Sequence, residues 1–342
     1  MSLLQFTAKG IYCPVGKFYI DPWQPVDFAV ITHAHGDHAR WGSRYYLAHE
    51  FSQPILKVRL GPDTVIETLP YGVTKNINGV KLSLHPAGHI IGSAQVRLEY
   101  KGFVSVVSGD YKTENDGIST PFEPLRCNEF VTESTFGLPI YNWLGQVQIF
   151  DNIKQWILRN QSNGRTSIFI AYSLGKAQRL MKGLEGVANI FVHSSIERLN
   201  EAIRSASITL PHAKQWTSDT PRTALQNSIV ILPPSLLGTN MIKKIPHGAI
   251  AICSGWMQVR GNRRWQSVDA GFAVSDHADW RGLLDTIRYT GAEKVYVTHG
   301  YTATFSKYLN EIGIAAQEVI TQYGSDEEAE ADNSKEAISP EV

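Results

Sequence analysis

Four side chains able to bind a metal fall within six positions, His33-Ala34-His35-Gly36-Asp37-His38, one residue after the apolar run Phe28-Ala29-Val30-Ile31. A solitary histidine after such a run is usually a core residue. Three imidazoles and a carboxylate packed this tightly would repel one another and desolvate badly unless a cation drew them together. Imidazole nitrogen with carboxylate oxygen is the ligand set of a borderline ion such as Zn²⁺. If the chain stays extended, His33 and His35 project the same way, and Asp37 and His38 come from the turn beyond. Four ligands so close in sequence suit two neighbouring ions better than one tetrahedral ion, so further ligands must come from elsewhere.

Three more segments offer them. Pro86-Ala87-Gly88-His89-Ile90-Ile91-Gly92-Ser93 sets a histidine in a glycine-flanked turn between two alternating strands, Val80 to Leu84 and Ala94 to Tyr100. Val104 to Asp110 reads as a buried strand with a carboxylate at its tip, and Lys294 to Gly300 repeats the design with His299. Strand tips are where an α/β scaffold collects its chemistry.

The His-x-His-x-Asp-His run, the Gly-His turn and the Gly-Asp strand end together resemble the metallo-β-lactamase fold. Val131-Thr132-Glu133-Ser134-Thr135-Phe136-Gly137 resembles the Glu-Ser-Thr segment of the β-CASP nucleases, and Ser275-Asp276-His277-Ala278-Asp279 with Val297-Thr298-His299-Gly300 resemble that branch's later histidine motifs. Asp21-Pro22-Trp23, the compact size and the absence of a long extension look most like the bacterial ligase-associated DNA exonuclease group. The motifs run from Asp21 to His299. The fold implied is α/β, a metallo-β-lactamase αββα sandwich with an inserted β-CASP α/β domain.

Carried over residue by residue, the resemblance implies one metal on His33, His35 and His89 and a second on Asp37, His38 and His299, with Asp110 bridging. Asp21 would orient the histidine motif from behind, although Asp-Pro is also an ordinary turn signal. His277 matches the acid that protonates the leaving oxygen and Glu133 the carboxylate that hydrogen-bonds it. Read without the resemblance, Asp276 and the amphipathic stretch after it look like a helix start. Two cations about 3.5–4 Å apart polarise a phosphoryl oxygen and lower the pKa of water toward about 7. An imidazole titrating near neutrality, held charged by Glu133, suits protonation of a sugar oxygen. The β-lactam-hydrolysing members share the metals but not this acid, which argues for phosphodiester cleavage. Zn²⁺ is the expected ion, with Mn²⁺ as the alternative, since carboxylate-containing sites accept both.

The length of 342 residues allows one large domain or two. The expected organisation is a metallo-β-lactamase domain over 1–137 and 275–324, a β-CASP insertion over 138–274 and a disordered acidic tail over 325–342. In the insertion, residues 145–160 read as a helix with Val147, Phe150, Ile153 and Ile157 on one face. Arg165 to Ala171 reads as a strand, followed by Tyr172-Ser173-Leu174-Gly175-Lys176 and a helix with Ala177, Leu180, Met181 and Leu184 inward. A lysine at that turn would suit phosphate, but the full P-loop pattern is missing and no nucleotide site follows. Cys13, Cys127 and Cys253 form no CxxC pair. The opening residues lack the apolar region of a signal peptide and no run approaches a membrane span, so the cytoplasm is expected.

A formal charge of zero conceals an asymmetry. Residues 325–342 hold seven acids and one base, which leaves 31 basic against 25 acidic residues, a net of +6, in 1–324. The tail's composition suits a solvating or shielding segment. Trp256, Arg260, Arg263, Arg264 and Trp265 form a basic-aromatic cluster able to bind phosphate and stack bases, and Arg40 and Trp41 lie just beyond the metal motif. The resemblance implies a two-metal DNA exonuclease acting in repair beside a ligase and a helicase. The alternatives are an RNA-processing nuclease of the same branch and a non-catalytic scaffold; Glu133, His277 and the insertion disfavour a thioester hydrolase.

Overall fold

The computed structural model describes residues 2–217, 219–259 and 268–322. They divide into two compact units, one of 2–115, 119–142 and 277–322, the other of 116–118, 143–217, 219–259 and 268–276. Both are mixed α/β.

The first unit holds two sheets. One runs in chain order, β1 (Gln5–Thr7), β2 (Gly10–Cys13), β3 (Phe18–Ile20), β4 (Phe28–Val30), β5 (Tyr45–Ala48) and β6 (Ile66–Thr68). From β3 onward its strands are parallel. The other begins with the antiparallel run β7 (Thr74–Ile77), β8 (Val80–Pro86), β9 (Ala94–Tyr100) and β10 (Phe103–Val107). It continues in parallel through β11 (Glu129–Ser134), β18 (Lys294–Gly300) and β19 (Ala316–Glu318). Strand periodicity sorts this second sheet's side chains between two cores. Val107, Val131 and Tyr296 face the first sheet's Ile20, Val30 and Leu47. Their chain neighbours Val106, Phe130, Val295 and Val297 face the opposite way, onto Leu283, Leu284, Ile287, Phe305 and Leu309 of two helices, Trp280–Thr290 and Thr302–Glu311.

The second unit is a parallel sheet in the order β14 (Lys214–Gln215), β13 (Ile190–Val192), β15 (Ile229–Leu232), β12 (Thr166–Ile170), β16 (Gly248–Cys253), β17 (Ala270–Phe272). Parallel strands need crossover connections, and the helices Gln146–Ser162, Lys176–Gly183 and Ser194–Ser205 precede or link them. Ala177, Leu180, Met181 and Leu184 are all buried.

Several local readings need correction. Val147 is exposed, and the buried face of its helix is Ile149, Phe150, Ile153, Trp156 and Ile157, because Val147 lies in the first turn, about a third of a turn off that stripe. The helix after the Ser-Asp-His segment starts at Trp280, not at Asp276: Asp279 is its cap and accepts the Gly282 N–H at 2.8 Å. The first sheet's strand before the histidine run ends at Val30 and the strand before Asp110 ends at Val107, so His33, His35 and Asp110 stand on the connections beyond. No described helix is long and apolar enough to cross a membrane. Arg260, Arg263, Arg264, Trp265 and the acidic tail lie outside the described residues.

Candidate metal centre

Strand direction gathers the site. The carboxyl ends of parallel strands lie along one edge, so Asp21 after β3 and His33 after β4 share one end of the first sheet. In the second sheet Asp110, Glu133 and His299 follow or close the parallel strands β10, β11 and β18. Because β9 runs antiparallel to β10, with Val96 opposite Val107, the β8–β9 turn that carries His89 reaches the same edge. A backbone bond from Ala94 N–H to the Thr32 carbonyl, 2.8 Å, ties the two edges together.

His299 is aimed by a bulge. Glu133 pairs with Thr298 but Ser134 pairs with Gly300, so His299 is the extra residue, with φ of 53°. Bulges of this kind redirect a side chain. Asp21 also has positive φ, 43°. Asp and His enter left-handed backbone more readily than most residues, but it still costs about 1–3 kcal/mol outside glycine, and the surroundings must hold it. At His299 the Ser134 hydroxyl does so, donating to the His299 carbonyl at 2.6 Å.

The candidate ligands fall into two groups within 4.8 Å: His33, His35, His89 and Asp110; and Asp37, His38 and His299. Asp110 reaches both. Its Oδ2 lies 3.5 Å from His33 Nε2, 3.5 Å from His38 Nε2 and 3.8 Å from His89 Nε2, while Oδ1 lies 3.6 Å from His299 Nδ1. Two donors each about 2.1 Å from a tetrahedral ion stand about 3.4 Å apart, so this spacing fits atoms turned toward a shared cation. The oxygens of Asp37 and Asp110 and the Nε2 of His33 are buried and make no hydrogen bond among the described residues. Buried polar atoms are rarely left so, and a divalent ion is what would satisfy them. The residues therefore fit divalent metal.

The charges point the same way. Burial alone would depress the His38 imidazole, but Asp110, Asp37 and Asp21 outweigh it and push it up to about 10. Burial raises Asp110 to about 6 against the pull of His38 and His299. Burial, followed by the neighbouring rings, drives His33 well below its ordinary value.

Behind the ligands, Asp21 is buried and fully engaged. Its carboxylate accepts the Thr32 N–H at 2.8 Å, the Thr32 hydroxyl at 2.5 Å and the His38 Nδ1–H at 2.8 Å. His38 Nε2 is thereby turned to the centre. Thr32 was not legible as part of the site; its hydroxyl also lies 3.0 Å from His33 Nδ1.

His277 and Glu133 form the second constellation. Both carboxylate oxygens of Glu133 meet His277 Nδ1, at 3.0 and 2.9 Å. Glu133 also accepts the Tyr111 N–H at 2.8 Å and the Thr135 hydroxyl at 2.5 Å. Burial opposes its charge, but His277 and these donors prevail and hold it below the usual carboxylate range. The His277 ring lies 4.6 Å from that of His89, and Asp110, Glu133 and His277 themselves fall within 4.8 Å. Thr135 and the Tyr111 amide are supports that the sequence reading missed, although Thr135 sits inside the Glu-Ser-Thr motif.

Other singled-out residues are placed differently. Lys176 is buried in the second unit, 3.3 Å from Asp276 and 4.2 Å from the Tyr172 ring, so its charge is committed within the protein. Trp256 packs partly against that unit's core. The three cysteines are free. Arg40 is half-buried and Trp41 exposed.

No family model matches the chain. A protein of Opitutus terrae named Probable DNA ligase is 28% identical over 312 residues, which are 90% of this chain and 30% of that protein. Endoribonuclease YSH1 of Saccharomyces cerevisiae is 31% identical over 118 residues, 34% of this chain and 15% of that protein. The chain thus spans under a third of the curated relatives it matches. A crystal structure of a protein of unknown function from Enterococcus faecalis V583 superposes with a TM-score of 0.60 at 12% identity, over 87% of this chain and 80% of that one, a likeness of fold.

Proposed function

We propose that the protein is a two-metal phosphodiesterase of the metallo-β-lactamase fold and β-CASP branch, acting as a DNA exonuclease. The observation that carries the reading is the convergence, where the edges of the two sheets meet, of two ligand groups, the Asp110 between them and an imidazole–carboxylate pair beside them. On this reading His33, His35 and His89 hold one ion, Asp37, His38 and His299 the other, and Asp110 both; the second unit is the β-CASP insertion. When bound, two divalent cations, Zn²⁺ or Mn²⁺, neutralise charge on a phosphodiester and supply a water of lowered pKa.

The chain's own residues supply the rest. Asp21 fixes the tautomer and aim of His38. Glu133, anchored by Tyr111 and Thr135, holds His277 through Nδ1, which leaves Nε2 to give a proton to the departing sugar oxygen. A buried carboxylate kept ionised beside an imidazole favours the imidazolium that this step needs. The His–carboxylate acid separates a diesterase from a lactamase on the same metals.

Similarity along 90% of the chain to part of a protein named as a probable DNA ligase supports DNA as substrate; the setting of repair beside a ligase and a helicase rests on the motif resemblance. The match to an endoribonuclease over 34% of the chain favours the second reading, RNA cleavage with the same chemistry. Digestion of end-labelled single-stranded DNA and matched RNA with Mn²⁺, Zn²⁺ or EDTA, beside Asp110→Ala, tests them. Stepwise release from DNA alone, lost in the variant, upholds the first. Internal cuts in RNA with DNA untouched uphold the second, and no cleavage of either overturns both.

A further inference from the structure

Residues 40–45, Arg-Trp-Gly-Ser-Arg-Tyr, leave the ligand turn and re-enter the first sheet at β5. The segment is tethered at several points. The buried Tyr46 hydroxyl donates to the Arg40 carbonyl at 2.8 Å and accepts the Ser43 N–H at 2.9 Å. Val26 N–H donates to the Ser43 hydroxyl at 3.2 Å, and Arg44 N–H to the Val26 carbonyl at 3.0 Å. Gly42 has φ of 102°, and a Cβ there would stand 3.0 Å from the Pro25 ring. A loop held this firmly does not leave a side chain in water through slackness.

Trp41 is nonetheless 76% exposed, more than any other described aromatic residue, and Tyr45 is 46% exposed. Exposing an indole forgoes one of the largest burial gains a side chain offers. The exposed Arg44 guanidinium lies 5.1 Å from the Tyr45 ring centroid. Among the described residues no carboxylate lies within ion-pair distance of Arg40 or Arg44; Asp27 meets Tyr45 only through its backbone carbonyl, at 3.1 Å. Arg40 Nε is buried and makes no hydrogen bond among those residues. Two guanidinium groups with uncommitted charge thus flank an open indole on a rigid loop. Three chain steps of about 3.6 Å put the Trp41 Cα within about 11 Å of the His38 Cα.

We propose that this loop is a platform for single-stranded nucleic acid, with a base stacked on Trp41 and the adjoining phosphates on Arg40 and Arg44. An indole face accepts any unpaired base, and guanidinium pairs with phosphate in a bidentate fork. A paired base offers no free face, so duplex is disfavoured. The apolar surface is one ring wide and cation-flanked, which suits a polyanion better than a protein partner. The proposal rests on the nuclease reading above, since it supplies the strand that leads to the ligands.

Fluorescence anisotropy without added metal, using labelled (dT)20, (U)20 and a blunt duplex, tests it on the full chain. The proteins are the wild type, Trp41→Ala, Trp41→Phe and Arg44→Gln, with hydrolysis of bis(p-nitrophenyl) phosphate under Mn²⁺ reporting the state of the centre. Trp41→Ala is expected to weaken single-strand binding about 5- to 100-fold while Trp41→Phe keeps most of it. Arg44→Gln should lower the slope of log affinity against log salt by about 0.7. All four should hydrolyse the small diester alike, and comparison of (dT)20 with (U)20 assigns the sugar preferred. Variants that bind as wild type does, while the wild type degrades the oligonucleotides, would overturn the platform and leave the nuclease standing. Parallel loss of small-diester hydrolysis would also overturn it, since the loop would then act through the metals. A wild type that hydrolyses the small diester but neither binds nor cuts nucleic acid would sink the nuclease reading and the platform together.

Discussion

Gly109→Ala strikes the point where the two ligand edges press on each other. Gly109 has φ of 56°, and a Cβ there would fall 2.6 Å from the Thr32 hydroxyl oxygen, 2.7 Å from Thr32 Cβ and 3.1 Å from its methyl. Left-handed backbone costs an L-residue roughly 1–2 kcal/mol. Ordinary carbon contacts begin near 3.5 Å, so Thr32 or the Asp110 connection must retreat by about 0.8 Å, an overpacking strain of about 1–3 kcal/mol. Thr32 is stiff at its β-carbon and holds Asp21, and through it His38, while Asp110 follows Gly109 directly. The displacement is therefore expected in the ligands themselves. A misplacement of about 1 Å costs roughly 100-fold in rate. Gly102→Ala is the control, because Gly102 has φ of 81° but nothing within 4 Å. Thermal unfolding should show Gly102→Ala less stable by about 1 kcal/mol with full metal content and rate. Gly109→Ala should lose about 2–5 kcal/mol and at least 10-fold in metal affinity, read by titration and elemental analysis. If Gly109→Ala matches the control in all three measures, the close approach is not what sets the site.

Asp110→Ala should abolish nucleolytic cleavage, since its two oxygens lie within 4 Å of histidines of both ligand groups, and elemental analysis should show at least one ion lost. His277→Ala should retain both ions yet slow cleavage about 10²- to 10⁴-fold; equal loss of metal would refute its role as acid. Metal binding should release protons at neutral pH, because His38 is held protonated up to about 10 in the cation-free cluster. Affinity therefore rises with pH below that value, and calorimetry in buffers of different ionisation enthalpy counts the protons. Glu133 has a lowered pKa, so its contribution to stability is present above the usual carboxylate value and lost as acid passes the lower folded one. Glu133→Gln should thus lose less stability than wild type on going from pH 5 to pH 3 in denaturant melts.

The cluster of candidate ligands was legible because such a site writes itself into side-chain type and strand position: histidines and aspartates following apolar runs and flanked by glycine. What the ligands rest on was far less so. Thr32 and Thr135 are ordinary residues in sequence, and only the fold brings their hydroxyls to Asp21 and Glu133. The bulge at His299 leaves no mark beyond Gly300, since register is a property of two strands rather than one. Val147 misled because a valine one step off the stripe has the same composition as one on it. The helix start at Trp280 was misplaced because Ser275-Asp276 and Asp279 both carry capping chemistry, and only hydrogen-bond geometry chooses between them.

The ligands come from two sheets that share no strand, and His38 and His299 lie some 260 positions apart in the chain. An ion held between them, as proposed, would be a cross-link as much as a reagent. By the chain-entropy relation for closing a loop of that length, such a clip is worth about 5–6 kcal/mol against unfolding. Chelation would then shorten the protein's lifetime as well as silence it, through faster proteolysis of a loosened first unit. Metal supply would set how much enzyme persists, not only how fast each molecule turns over.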